Sequence, residues 1–568
     1  MKDLKAISSI LSEMAKLAQV VEENPFIARS YEGAAQTLEE LAAKGETFDS
    51  ISDFSELPRI GKTIAQKIEE IGEKGTCRAY EKLKEKAPKD IHLFFQIPGL
   101  GPKKIRILHE KLGINTLEDL EQSLEMGEIR SLPGFGEKSC QKIRQAIPFV
   151  LENKNKVLLF EGWQIGLEIL SKLESSPFVK RASFTGPLRR GSAVLSTLDF
   201  LVATRAPQKL LLWCKKNLFL SHLHWNKEES FFEDQKSLPL PCRIHLSKEK
   251  EFGLYLLLKT GSEEHLQKLR DLASLKGFSF QKDGWKKGRK SLCLEEEEYY
   301  SLLDLPFIPP ELREDGQEIE FMQSSQRDQL VSREDLQAFF HNHTSWSDGK
   351  DSLETMVQAA WEKGAHQISI NDHSKAAFYA NGLDEKRLME QIQEIKKIQS
   401  SFPQIQILTG SEVDILKDGT LDFGPEVLEK LDMVVASVHS HFQLSAQEMT
   451  ERILKALSSP HVRILGHPTG RLLLHRPGYS VDLDRILQEC LEKGIAIELN
   501  CNPMRMEIDW QYLRKYPSLQ VAVNADAHHT SHLDYLDLGI LQARKGLVTR
   551  ERLLNHKNAV LLKNQNKK

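Results

Sequence analysis

QAFFHNHTSWSDG, Gln337 to Gly349, is a short apolar strand that ends in side chains able to hold a cation. His341 and His343 close the strand, and Asp348 follows after a short loop. The same design recurs downstream. HQISIND, IQILTGSE, MVVASVH, VRILGHP, GIAIELN and VAVNADAH are further apolar runs, each followed by a helical stretch. Alternating strand and helix units of this length predict a parallel (β/α)7 barrel over residues 336–568. In such barrels the C-terminal strand ends build one mouth, so the polar groups there converge. The second run brings His373 with Asp372 beside it, the third Glu412, the fourth His439, the fifth His467, and the last Asp526 and His528. One histidine at a strand end is commonly just a satisfied polar group. So many acids and imidazoles under one structural rule are harder to explain that way, because burying them without a cation is very costly.

The motifs HNHTSWSDG, NDHS, GSEVDI, SVHSHF, LGHPTGRLL, ELNCNPMRMEIDW and NADAHHT closely resemble those of the polymerase and histidinol phosphatase (PHP) domain. The resemblance implies up to three divalent ions, manganese or zinc first and magnesium as a further candidate. A mixed imidazole and carboxylate set suits the first two. His341, His343, Asp348, His373, Glu412, His439, His467, Asp526 and His528 are the expected ligands. Glu412 and Asp526 are expected to bridge ions, since a carboxylate can span two cations. His439, His467 or a water held by the ions would protonate the leaving oxygen, with no choice between them from sequence. Arg471 and Arg505 are candidates to grip the substrate phosphate. Asp372 is expected to orient an imidazole.

The first 150 residues carry a repeated grammar instead. LPRIGKTIAQKI (Leu57 to Ile68), IPGLGPKKIRIL (Ile97 to Leu108) and LPGFGEKSCQKI (Leu132 to Ile143) each lead an apolar residue and a proline into a tight turn, then a helix with lysine near its start. Gly61, Gly99, Gly101, Gly134 and Gly136 allow such turns, and Lys62, Lys103, Lys104 and Lys138 stand beside them. Free N–H groups at a helix start hold phosphate well, so sequence-independent binding to DNA is the expectation. These segments resemble helix-hairpin-helix motifs in the order found in family X DNA polymerases, here as all-α domains over 1–85 and 86–150. Arg59 departs from the pattern by standing at the first glycine position of the first hairpin.

Residues 151–310 read as mixed α+β, with RASFTG, LDFLVAT and CRIHLS as strands. With TGSEEHLQKLRDLA and DLPFIPPELRED, they resemble the nucleotidyltransferase-like palm and the thumb of bacterial family X polymerases. The polar segment 311–335 reads as a linker. Nucleotide joining needs two metal ions and several carboxylates. Matched to the family's pattern, those positions fall on Thr197, Asp199 and His245, and the Gly-Ser that would contact a triphosphate becomes Gly186-Pro187. Arg189, Arg190 and Gly191 persist. One carboxylate with a hydroxyl and an imidazole is a poor magnesium site, so the palm is expected to keep its fold and lose polymerisation. Glu249 or Glu251 standing in is the alternative.

The bulk figures fit several domains. The chain has 568 residues, 40% of them hydrophobic and 28% charged, with a net charge of -4. Any affinity for nucleic acid must therefore come from local positive charge. Its 7 cysteines show no paired short spacing, which favours reduced thiols and a cytoplasmic setting. No apolar run is long enough to span a membrane. The leading expectation is a monomeric DNA-repair phosphoesterase that trims gapped or 3′-ended DNA as a 3′–5′ exonuclease. A working repair polymerase with an attached nuclease is the first rival. A small-molecule phosphatase of the histidinol-phosphate kind and a scaffold without chemistry are the others.

Overall fold

The computed structural model describes residues 3–556 except 23, 44, 219, 227–230, 282–283 and 289. The chain divides into two units, residues 1–154 and 155–568. The first is helical around one apolar core, in which Ile7, Leu11, Leu38, Ile68, Leu93, Ile105 and Ile143 are buried.

The second unit holds two sheets that matter for chemistry. The palm sheet consists of β1 (Arg181–Phe184), β2 (Leu198–Ala203), β3 (His224–Asn226), β4 (Phe231–Asp234) and β5 (Cys242–Ser247), in the order β1-β2-β5-β4-β3. The other is a seven-stranded parallel sheet in simple sequential order. Its strands are β6 (Ala338–Asn342), β7 (Gln367–Ile370), β8 (Gln406–Asp414), β9 (Met433–Ser437), β10 (Ile464–Leu465), β11 (Ala496–Asn500) and β12 (Val521–Asn524). A parallel bridge from Asn342 to Ala527 brings the last strand beside the first, so the sheet nearly closes on itself.

Period-2 alternation sorts these strands. Phe340, Leu408, Val435, Ile464, Ala496 and Ala522 form a small core of their own, while Phe339, Ile407, Val434, Leu465, Ile497 and Val523 pack with the surrounding helices. Following the inner face upward in steps of two leads from Leu408 to Glu412 and Asp414, from Ala496 to Glu498, and from Ala522 to Asp526. The apolar plug and the polar mouth are thus successive levels of one pattern.

Residues 311–335 are not a linker. The chain forms a helix at Gln317–Gln323 and short 3₁₀ turns at Pro310–Leu312 and Ser325–Gln329. Leu312, Ile319, Met322 and Leu330 join the apolar cluster built on Leu257, Leu269, Tyr299 and Tyr300. The segment's acids are fastened too: Glu314 accepts from Lys545 at 2.7 Å, and Glu318 accepts from Arg514 at 3.0 Å. Polar composition here reflects buried ion pairing, not solvation. Among the described residues no helix is long and apolar enough to cross a membrane.

Candidate metal centre

The register of β6 shifts between Phe339 and Asn342, and His341 there adopts a left-handed φ of 57°. Such a bulge re-aims side chains at a strand end. Asn342 donates instead to the carbonyls of Phe339 and Ser369, and His341 and His343 turn into the mouth. His467 and Asp526 also have positive φ, at 22° and 51°. Strained backbone at three strand ends of one rim marks a functional site more than a packing need.

The nine expected ligands lie together. Ligand atoms within 4.8 Å of one another form four overlapping groups: His343, Asp348, His373 and His528; His341, Glu412 and His467; His341, His343 and Asp526; and His373, Glu412 and His439. Glu412, His341, His343 and His373 are each shared between two groups. Glu412 Oε1 lies 2.8 Å from His467 Nε2 and 3.2 Å from His439 Nε2, and its Oε2 lies 3.0 Å from His373 Nδ1.

Burial opposes ionising Glu412, but His439, His341 and His373 outweigh it and hold its carboxyl well below the usual range. Asp526 is depressed likewise, against burial, by His341 and His343. His439 is raised to about 10, since Glu412 and Asp414 overcome the cost of its burial. His528 rises to about 9 through Asp348 and Asp526, and Asp348 falls to about 2 beside His528 and His343. His343 goes the other way, to about 3, because it is buried with His528 and His373 as neighbours.

Whether a cation suits the cluster is decided by what the rings lack. His341 Nε2, both ring nitrogens of His343, His373 Nδ1 and His467 Nδ1 are buried without a hydrogen-bond partner. Buried polar atoms are ordinarily paired, and all but His467 Nδ1 lie within 3.9 Å of a carboxylate oxygen of Glu412 or Asp348, an arrangement that fits a set of metal ligands.

Two supporting residues escaped the sequence reading. Glu498, fully buried, accepts from the His467 amide at 2.6 Å, Asn524 at 2.8 Å and Asn500 at 3.1 Å, and its other contact is His341 Nδ1 at 2.5 Å. Asp414 Oδ2 lies 3.2 Å from His439 Nδ1. Both fix imidazoles from behind. Asp372 does not do so: it accepts from Thr344, Ser347 and Gln391, anchoring the loop that carries Asp348.

The two arginines separate. Arg505 points its Nε at Asp526 Oδ2 from 3.7 Å, with Nη1 3.4 Å from Glu507. Arg471 is spent on structure, bonding Asp509 at 2.7 Å and the carbonyls of Arg505 and Met506. It is therefore corrected from a phosphate grip to a loop brace.

In the palm, Asp199 is buried, accepting from Thr197 Oγ1 at 2.5 Å with His245 Nε2 3.5 Å away. Glu249 and Glu251 do not replace the missing acids; they pair at the surface with Arg205 and Lys248. Arg189 makes a bidentate bond to Glu296 at 2.7 Å, and Arg190 bonds Glu314 and the Thr260 carbonyl. The Gly191 carbonyl accepts from Gln542 at 2.6 Å. Among the described residues no group of three acids or imidazoles gathers at this sheet.

In the helical unit the three hairpins share one backbone. Gly61, Gly101 and Gly136 are the N-caps of helices Lys62–Lys74, Pro102–Leu112 and Glu137–Asn153. Two residues earlier, Arg59, Gly99 and Gly134 have φ of 65°, 82° and 85°. Arg59 thus adopts the glycine conformation, with its guanidinium held by Glu40 at 2.8 Å. Lys62, Lys103 and Lys138 are exposed beside their turns. Lys104 is engaged internally, donating to Ser139 Oγ at 3.0 Å.

Comparison with known proteins follows the same divisions. Residues 4–77 match a helix-hairpin-helix domain, 92–147 a SAM-like helix-hairpin-helix tandem, 255–314 the DNA polymerase beta thumb and 340–502 the PHP domain. A probable phosphatase of Thermoanaerobacter sp. is 26% identical over 38% of this chain and 88% of its own. A probable phosphatase of Caldanaerobacter subterraneus is 29% identical over 30% of this chain and 65% of its own. The DNA polymerase/3'-5' exonuclease PolX of Bacillus subtilis is 33% identical over 97% of both chains. With hairpins, thumb and metal-ligand barrel in the same order along nearly the whole length, this chain belongs to the PolX family.

Proposed function

We propose that the chain hydrolyses phosphodiester bonds from the 3′ end of DNA, in repair, through its C-terminal barrel, and that its palm no longer joins nucleotides. The observation that carries this reading is the gathering of nine acids and imidazoles at one barrel mouth, with five buried ring nitrogens left unpaired. The chain's hairpin modules favour DNA over a small phosphomonoester, although several relatives of the barrel alone bear the name of phosphatase. The Bacillus subtilis relative carries both activities in its name, and the loss of one here is inferred from the palm's own residues.

The proposed divisions are hairpin domains over 1–85 and 86–150, palm and thumb over 151–310, and the barrel over 336–568, with 311–335 now counted with the thumb. The proposed ligands are the nine residues named above, and manganese or zinc is the proposed ion. Bound there, divalent cations would activate the attacking water and stabilise charge on the phosphoryl oxygens. Glu498 and Asp414 hold His341 and His439 in position. Arg505, beside Asp526, is the residue proposed to grip the scissile phosphate. The P–O3′ bond breaks and the leaving 3′ oxygen takes a proton, for which water in the pocket is the proposed donor, because His439 and His467 as neutral ligands would have none to give. Lys62, Lys103 and Lys138, with the free N–H groups of the hairpin helices, are proposed to hold the sugar-phosphate backbone without reading sequence.

The test pairs His341→Ala with Asp526→Asn in the full chain. Shortening of a labelled DNA strand disappears while affinity for the same DNA persists. Continued shortening would locate the hydrolysis elsewhere.

A further inference from the structure

The loops that follow β9 and β10 build a second cationic position at the barrel mouth. After His467 the chain turns at Gly470, whose φ is 59° and whose amide donates to the His467 carbonyl at 3.0 Å. It then folds into a tight hook over 472–476, in which Leu472 and Arg476 exchange backbone bonds of 2.9 and 2.7 Å. The Leu473 amide donates to the Met504 carbonyl at 2.6 Å, and Arg471 at the base of the hook donates to the Arg505 carbonyl at 2.9 Å. The hook is thereby fastened to the segment that carries Arg505.

Arg476 leaves this hook along a fixed path. Its Nη2 donates to the Gly470 carbonyl at 2.8 Å, and its guanidinium lies over the Phe442 ring, 4.5 Å from the centroid. Phe442 stands three residues past the ligand His439 and stacks on the buried Tyr479, with centroids 5.9 Å apart and planes 8° from parallel. The Tyr479 hydroxyl donates to the Pro468 carbonyl at 2.7 Å, which closes the stack against the chain just beyond His467. A planar cation is thus wedged between the loops of two ligand-bearing strands, its orientation set by an aromatic face.

Charge distinguishes Arg476 from its neighbour. Arg505 stands 3.7 Å from Asp526 and 3.4 Å from Glu507, so acids already offset much of its charge. Arg476 pairs with no acid among the described residues, and its Nε and Nη1 have no acceptor there. A half-buried guanidinium without a counter-ion is costly, and an anion in the mouth removes that cost. A DNA strand supplies anions in series. The ligand cluster and Arg505 take the scissile phosphate, and Arg476, which touches no ligand carboxylate, is left to meet the next one. Its two unspent nitrogens can take two oxygens of that phosphate.

We propose that Arg476 binds the phosphodiester one nucleotide to the 5′ side of the scissile bond, so that the site recognises two successive linkages of a strand and not a lone phosphate. The proposal rests on the exonuclease reading above and deepens it by naming the part of the substrate, beyond the reacting phosphate, that the mouth holds. Phe442 and the Gly470 carbonyl serve as positioning groups, holding the guanidinium ready before the strand arrives.

The test places a neutral methylphosphonate at that one linkage of a labelled single strand, leaves the scissile linkage natural, and follows removal of the last nucleotide. The full-length, manganese-loaded protein is compared with R476A and R476K. The wild-type chain prefers the natural strand by about tenfold or more in kcat/KM, as expected for a charge-assisted hydrogen bond. R476A loses that preference at unchanged Tm, cleaving both strands as the wild type cleaves the neutral one, and R476K restores part of it. Equal kcat/KM of the wild type on the two strands would overturn the assignment, as would a preference undiminished in R476A. Equal losses on both strands would also overturn it, since that pattern reports a loosened mouth. The affinity of the chelated protein for the two strands, read by fluorescence anisotropy, follows the same order. If the wild type shortened neither strand, the exonuclease reading would fail by itself, and the affinity comparison would decide for or against the arginine.

Discussion

Glu498 Oε1 stands 2.5 Å from Nδ1 of His341, behind the ring and away from the cluster. The carboxylate is fully buried, and its remaining bonds reach the strands that carry His467 and Asp526. It sets the direction of one imidazole and ties three rim positions together. Glu498→Gln keeps the shape and most of the hydrogen bonds but weakens the pull on His341. Metal affinity then falls by roughly 10–100-fold with the fold retained, as measured by competition with a chelator and by circular dichroism. Unchanged affinity would mean that the pair is structural only.

The two arginines are predicted to fail differently. Arg505→Ala removes a charged donor beside Asp526 and lowers kcat/KM on DNA by roughly tenfold or more at nearly unchanged Tm. Arg471→Ala frees Asp509 and two carbonyls from their brace, so it lowers Tm first and activity only as the fold loosens. The reverse pattern would restore Arg471 as the phosphate grip.

Proton release gives an independent handle on the cluster. Without metal, His439 at about 10, His528 at about 9 and the raised His341 all hold their protons at pH 7. A metal ligand must be neutral imidazole, so binding at pH 7 expels roughly three protons, readable by calorimetry in buffers of different ionisation enthalpy. Folded values above the ordinary 6.5 stabilise the metal-free protein fully below about pH 6.5, and that contribution is lost as pH rises through about 9 to 10. The Tm of chelated protein therefore falls from pH 7 to pH 10, and bound metal flattens the decline. Metal binding without proton release would contradict these assignments.

Restoring acids to the palm is predicted not to restore synthesis. Thr197→Asp with His245→Asp supplies the missing carboxylates, yet Arg189 and Arg190 stay locked to Glu296 and Glu314, and Pro187 still offers no donor. Incorporation on a gapped duplex stays absent. If the two substitutions alone revived it, the arginine locks would be irrelevant.

The gathering of the nine residues at one mouth was legible because most of them stand at or just past the ends of parallel strands, with Asp348 on the loop after β6 and Glu412 near the end of β8. Glu498 and Asp414 were legible in principle as well. They lie on the inner face of β11 and β8, at even steps from Ala496 and Leu408, but the strand-end rule looks past residues still inside a strand. Asp372 was misread because adjacency to His373 says nothing about direction: past the end of β7 the two side chains turn apart, Asp372 to Thr344, Ser347 and Gln391 and His373 to Glu412. The segment 311–335 was misread because a buried acid and a solvated one look alike in sequence. Glu318 became a core residue only through Arg514 and His265, roughly 200 and 50 positions away.

The most direct measurement supplies a labelled primer on a gapped template to the manganese-loaded full-length protein, with and without nucleoside triphosphates. The primer is expected to shorten stepwise from its 3′ end in both reactions and never to lengthen. Extension by even a few nucleotides, or a primer left intact, would contradict an account in which the barrel's clustered ligands perform the chemistry and the palm does not.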